Sequence, residues 1–161
     1  MVTAHIGVAV FVVGVTLVKG YDSEQDVRLR PGESATLAGY VFRLDDVSTV
    51  RGPNYVAARA HISVTRGEKE ITRLFPERRH YTVQDQVMTE AAIDPGLTRD
   101  LYVSLGDPLS GGAWLLKIQH KPFIDWIWGG CLIMALGGLL AASDRRYRFR
   151  TEKRSIAEAV A

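Results

Sequence analysis

One cysteine, Cys131, stands among the 161 residues, so no disulfide can form within the chain to hold its folded part together. Paired cysteines, a G-x-S-x-G elbow and an H-E-x-x-H helix are all missing, which removes the usual sequence grounds for a hydrolase. Neither sign of charge dominates, with 20 Lys and Arg against 18 Asp and Glu. The most telling absence is local. From Val2 to Val18 and from Phe123 to Ala142 the only formally charged residue is Asp125, at the edge of the second run.

A helix rises about 1.5 Å per residue, so a run of twenty apolar residues spans roughly 30 Å, the thickness of bilayer hydrocarbon. The second run meets that length, and the first lies at the short end of the spanning range. No basic segment precedes the first run and no A-x-A-like site follows it, so it reads not as a cleaved signal peptide but as a signal anchor, or as the start of a chain that has lost residues upstream. Between the runs, from Lys19 to Lys121, fourteen basic side chains face fourteen acidic ones. The basic excess lies after Ala142, in Arg145, Arg146, Arg148, Arg150, Lys153 and Arg154. Placed there it is a positive-inside signal and not a nucleic-acid footprint. The expected layout is a membrane helix over 2–18, a domain over 19–122 across the membrane from the tail, a membrane helix over 123–142 and a basic cytoplasmic tail over 143–161. Trp126 and Trp128 suit the outer interface of the membrane, with Asp125 reaching into it.

The middle region alternates with period two. In NYVAARAHISVTRG, Val56, Ala58, Ala60, Ile62 and Val64 share one face, and Ala57, Arg59, His61, Ser63 and Thr65 the other. Pro31-Gly32 sets a type II turn, since Pro fixes φ near −65° and Gly accepts positive φ. Arg66-Gly67 sets a hairpin toward a strand near Glu70–Phe75. Tyr40, Phe42 and Leu44 share a face of a further strand, and DLYVSLG and AWLLKIQ supply two more around the loop DPLSGG. Six or seven short strands with frequent turn signals predict a small antiparallel sandwich or barrel, flanked by two transmembrane helices. The stretch VMTEAAIDPGL could add a helical turn ending at Pro95-Gly96. Gly7 and Gly14 lie a heptad apart in the first helix. Gly137 with Ala141, and Gly138 with Ala142, take small-xxx-small spacing in the second, which suits close helix packing.

Four histidines are the candidates for chemistry. His61 falls on the polar face of its strand, His120 precedes the second apolar run, and His80 has two arginines beside it, which would disfavour its charged form. Their spacing gives no support for a zinc site. His5 differs, because an imidazole within an apolar helix is a candidate functional group and neutral imidazole is a good haem-iron ligand. The other reading of His5 is a ring at the interface of a short helix, reaching for water.

Longer motifs point further. The segments GPNY, FPERRHYTVQDQVMTEAAIDPGLTRDLYVSLGDP and KPFIDWIWGGCLIMALGGLLAASDRRYR resemble the C-terminal region of the CcmF, CycK and NrfE family, the large membrane component of the bacterial system I haem lyase. The resemblance runs from about Ala4 to Arg148. It implies a role in c-type cytochrome biogenesis at the bacterial inner membrane, with haem attached to an apocytochrome c on the periplasmic side. The implied partners are a CcmE-like haem chaperone, a CcmH-like thiol-handling protein, the apocytochrome and the remaining upstream part of a CcmF. The implied cofactor is haem b, with one axial ligand near the start of this segment in an A-H-x-G context. TAHIGVAV matches, which carries that role onto His5 alone. The family's tryptophan-rich haem-handling motif and its periplasmic histidine pair have no counterpart here, and Met1 falls where the family has internal sequence. The chain is therefore expected to be a truncated product or one piece of a split protein, and not competent for ligation by itself. On the same resemblance, Asn54, Tyr55, Arg78, Arg79, His80, Arg99 and Asp100 are candidates for loops near the haem or for contacts with partners. The alternative is a cofactor-free, membrane-tethered periplasmic scaffold.

Overall fold

A computed structural model describes residues 2–143 and divides the chain into a β domain, Val18–Pro122, and a helical unit made of the chain on either side of it. The basic tail expected from residue 143 onward lies, apart from Ser143, outside the described residues.

The helical unit contains α1 (Val2–Tyr21) as far as Leu17, and α2 (Ile124–Ser143); each helix has 20 residues and is long and apolar enough to cross a membrane. The two pack on each other through glycine. A Cβ on Gly7 would lie 2.6 Å from the backbone nitrogen of Met134, one on Gly130 the same distance from that of Phe11, and one on Gly137 2.5 Å from that of Ala4. Gly14 meets Ile127 in the same way, at 3.0 Å. No side chain fits at the first three separations, and one at Gly14 would need its neighbour to give way, so backbone lies against backbone. Gly7 and Gly14 act as their heptad spacing suggests. In α2, however, the seam is the heptad Gly130–Gly137. Gly138, which has the same i,i+4 relation to alanine as Gly137, faces open space. Spacing alone does not say which of two adjacent glycines faces the partner helix. The outer faces carry exposed Ile6, Val8, Val12, Leu132, Leu136 and Leu139, as helices in lipid should.

The β domain is a sandwich of ten antiparallel strands. One sheet has the order β1 (Ser23–Leu29), β10 (Ala113–Pro122), β9 (Arg99–Leu109), β8 (Ala92–Asp94). The other runs β2 (Ser34–Leu37), β3 (Tyr40–Arg51), β4 (Tyr55–Arg66), β6 (Glu77–Tyr81), β7 (Gln86–Glu90), with β5 (Lys69–Leu74) also on β4. The core lies between the sheets, where Phe42, Leu44, Ile62 and Val64 join Leu101, Val103, Leu105, Leu116 and Ile118. The expected turns form. Glu33 N–H donates to the Arg30 carbonyl across Pro31-Gly32, with Gly32 at φ 92°, and Gly67 turns β4 into β5 at φ 60°.

Two features depart from the sequence reading. Beyond the six or seven expected strands, the long runs are divided: Pro76 interrupts the edge of β4, so that β5 pairs with its C-terminal half and β6 with its N-terminal half. The stretch VMTEAAIDPGL holds no helical turn. It supplies β7, paired with β6, and then β8, paired with β9, crossing from one sheet to the other at Ala91. Pairing with long-range neighbours overrides the local propensity of Met, Glu and Ala.

The first and last strands of the domain are neighbours, with Ser23 opposite His120. The domain's chain therefore begins and ends side by side at one end of the sandwich. The Arg51–Tyr55 connection and the β6–β7 turn lie at the other end of β4.

Replacing Gly137 by Leu should destabilise the helix pair by about 1–3 kcal/mol, the usual cost of forcing volume into a packed contact, whereas Gly138→Leu should be close to neutral. Thermal melts of the full chain in detergent measure both; equal effects would contradict the glycine seam.

Candidate functional site

The rotation of α1 decides where His5 points. Gly7 and Gly14 follow it by two and nine residues, which at roughly 100° per residue puts the seam about 180–200° around the helix from the imidazole. His5 is exposed on the helix pair, on the same side as Val8, Ala9, Val12 and Thr16, which are exposed too. Thr16 Oγ1 donates back to the Val12 carbonyl at 2.8 Å, so the one hydroxyl on that face is bonded within its own helix. What remains is an imidazole on a strip of small apolar side chains. The other histidines, His61, His80 and His120, all belong to the β domain, and no group of three or more metal-ligating side chains forms among the described residues.

The seven loop candidates do not form one site. Cα partners across a sheet share a face, so Tyr55 with Tyr81, Ala57 with Arg79 and Arg59 with Glu77 line the outer face of the larger sheet. Glu77 is the anchor there, at 5% exposure. Arg59 Nε donates to its Oε1 at 2.6 Å and Arg79 Nε to its Oε2 at 2.7 Å, while Arg79 also reaches Glu90 at 3.4 Å. Burial alone would push the Glu77 carboxyl up. The hydrogen bonds from Arg79 and Arg59, with their charges, outweigh that and hold it below the usual carboxylate range. Arg79 also lies over the Tyr55 ring, 4.6 Å from its centroid, and Tyr55 packs on Tyr81 at 5.6 Å. A Cβ on Gly52 would strike the Tyr55 ring at 2.3 Å, so the small residue of GPNY makes room for the large one. Asn54 closes this end through its carbonyl, which accepts from Thr82 N–H at 3.0 Å.

Arg78 and His80 alternate onto the inner face. Arg78 Nη2 donates to Asp107 Oδ1 at 2.6 Å. The His80 Nε2 lies 2.8 Å from Asp85 Oδ1, so its close partner is a carboxylate and not either neighbouring arginine. Arg99 and Asp100 sit at the opposite end of the domain, beside the Asp94–Arg99 turn. Arg99 pairs with Asp94 and donates to Tyr40 Oη at 3.2 Å. Asp100 is buried, accepting from Gly96 N–H at 3.0 Å and from Tyr102 Oη at 3.4 Å. His61 is half-buried on the outer face, hydrogen-bonded to Ser48 and edge-on to Phe75. His120 stacks on Tyr40 with centroids 5.9 Å apart.

Two groups are therefore organised that single residues did not suggest. Glu77 could be paired with Arg79 from their i,i+2 spacing on one strand, but Arg59 joins them only through the β4–β6 pairing. The grouping of Tyr40, Arg66, Arg99 and His120 joins four strands and leaves no local pattern.

Comparison with known proteins adds the context. The family model described as CcmF C-terminal beta-sandwich matches residues 20–122. The cytochrome c-type biogenesis protein CcmF of Pseudomonas aeruginosa is 50% identical over 154 residues, covering 96% of this chain and 23% of the relative. The CcmF of Escherichia coli K12 is 48% identical, covering 98% and 24%, and the CycK of Rhizobium meliloti is 38% identical, covering 90% and 21%. A solved structure titled Cytochrome c Heme Lyase CcmF shares the fold with a TM-score of 0.70 at 19% identity, covering 85% of this chain and 23% of that one. The chain thus spans about a quarter of the length of the relatives it matches.

Glu77→Gln should cost about 2 kcal/mol, less than a fully buried ion pair because both arginines are partly exposed. The depressed carboxyl stabilises the fold fully above its unfolded value of 4.5, and that contribution fades as pH falls through the lower folded value. Chemical denaturation followed between pH 6 and 3 should therefore show a shallower acid decline in the variant. Parallel curves would contradict the assignment.

Proposed function

Since the chain belongs to the CcmF C-terminal β-sandwich family, we propose that it works as the C-terminal part of a CcmF-like haem lyase component in c-type cytochrome biogenesis. Its helices cross the bacterial inner membrane over 2–18 and 123–142, with the domain of 19–122 on the periplasmic side and the basic tail of 143–161 in the cytoplasm. The match of residues 20–122 to the family model supports the assignment, and the two apolar helices support the membrane reading.

Within that role, His5 serves as an axial ligand of a membrane haem b. The observation that carries this is the orientation of α1. Its glycine face is taken up by α2, which leaves the imidazole on the opposite, apolar face. One imidazole on a face of Val8, Ala9 and Val12 fits a cofactor whose remaining walls come from elsewhere in a longer assembly. Haem, when bound, supplies one-electron chemistry at an iron that takes neutral imidazole as a ligand. The chain's own contribution is to present that nitrogen from a helix fixed in rotation, and to keep water away with apolar neighbours.

The β domain is the docking part. Its organised outer face of Tyr55, Tyr81 and Arg79, tied to Glu77, offers aromatic and cationic groups to the haem chaperone, the thiol-handling partner or the apocytochrome c. Arg78, His80 and Asn54 border that end, while Arg99 and Asp100 belong to the far one.

In the complete assembly, His5→Ala should remove most of the haem absorbance at unchanged protein level, and His5→Met should retain a shifted band. Visible spectra of the purified, detergent-solubilised assembly provide the check, with circular dichroism confirming that the β domain stays folded. Unchanged spectra in both variants would overturn the ligand role and leave the scaffold reading.

A further inference from the structure

At the end of the sandwich where the domain's chain begins and ends, two guanidinium groups converge on one phenol. Val41 pairs with Thr65, which sets Tyr40 beside Arg66. Arg66 Nη1 donates to Tyr40 Oη at 3.4 Å, and Arg99 Nε donates to the same oxygen at 3.2 Å. Their guanidinium carbons lie 5.1 and 5.3 Å from the ring centroid. A phenol orients two cations without neutralising either. Tyr40 itself is core, at 6% exposure, so its hydroxyl is a fixed point.

The carboxylates of the region are already engaged. Asp94 pairs with Arg99, Asp100 is buried on Gly96 and Tyr102, and Asp22 lies 3.9 Å from Lys121, which also sits over the Tyr102 ring. Arg66 is exposed and meets no carboxylate among the described residues; one of its five N–H donors is used, on Tyr40. Beneath the pair, His120 stacks on Tyr40, with its Nδ1 buried and lacking a hydrogen-bond partner among the described residues. Burial, and then the charges of Arg99 and Arg66 against the opposing charge of Asp22, lower the proton affinity of that ring. The end therefore holds two like charges close together, with one carboxylate, Asp94, paired to Arg99, and with most of the spare donors on the planar fork of Arg66. Such forks match the paired oxygens of a carboxylate or phosphate.

We infer that Arg66 and Arg99, aligned by Tyr40 and backed by His120, form a receiving site for an oxyanion, either a carboxylate or a phosphate. A carboxylate is what the propionate of a haem carries, and a phosphate is what a phospholipid headgroup carries. Both would be gripped by the same donors. The site asks nothing of His5 or of iron.

Nuclear magnetic resonance of the arginine Nε–H groups in the 15N-labelled full chain, held in a non-ionic detergent at constant ionic strength, tests this. Sodium phosphate and sodium propionate are titrated separately against sodium chloride. Saturable shifts at Arg66 and Arg99, with Arg73 unmoved on its partner Glu70, are expected for at least one anion. The midpoint read at Arg99 should rise tenfold or more in Arg66→Gln and severalfold in Tyr40→Phe, with the amide spectrum confirming a native fold in each. A tighter phosphate midpoint identifies a headgroup site, and a tighter propionate midpoint identifies a carboxylate site. Non-saturating drift for both anions, or a midpoint unmoved by Arg66→Gln, overturns the proposal. Because no haem is present, the outcome is separate from that of the iron-ligand experiment.

Discussion

Four glycines fix how the two apolar helices meet, and the rest of the membrane part follows from them. Gly7 and Gly14 on one helix, Gly130 and Gly137 on the other, bring backbones so close that a Cβ would not fit at three of them and would be tight at Gly14. In lipid there is no hydrophobic gain from hiding one leucine against another, so packing of this kind must hold helices together through close van der Waals contact. The same contact sets the rotation of α1. A helix held by one face has an opposite face, and His5 is on it. The direction in which the imidazole faces is thus a consequence of small residues that carry no chemistry of their own.

The β domain is organised around a comparable closure. Pairing β1 with β10 places Ser23 opposite His120 and brings the domain's two chain ends together, as an insertion between two antiparallel helices requires. Its charges are then sorted by location. At the start of β6, Glu77 is buried under two guanidiniums and its charge is well matched. Toward the chain ends, cations gather on a neutral phenol and the balance is incomplete. The first arrangement stabilises the sheet; the second leaves capacity for something from outside. Neutral overall charge in the region conceals both.

Much of this was legible in the residues. The apolar runs gave the helices, and period-two alternation with Gly and Pro punctuation gave a sandwich, because helix and strand periods are local properties. The turns at Pro31-Gly32 and Gly67 were readable for the same reason. What escaped were features set by distant pairing. The VMTEAAIDPGL stretch became strands through partners on β6 and β9. Gly130 displaced Gly138 in the seam because helix rotation is fixed by the partner and not by the motif. The candidates Arg78 and Arg79 are adjacent in sequence yet lie on opposite sheet faces. Arg99 and Asp100 are separated from them by the length of β4. His5 was the reverse case: it stood out as the one imidazole in an apolar helix, but its direction needed the second helix.

These constraints converge on one functional idea, an imidazole presented outward from a glycine-locked helix pair to iron held by a larger assembly. Chemical rescue addresses it most directly. In a His5→Gly form of the complete assembly, the helix keeps a gap where the ring was, and free imidazole can be added to fill it. The account predicts loss of haem absorbance in the variant and its return with imidazole, in proportion to occupancy. Absorbance that survives the substitution, or that is lost and not restored at any imidazole concentration, would contradict it.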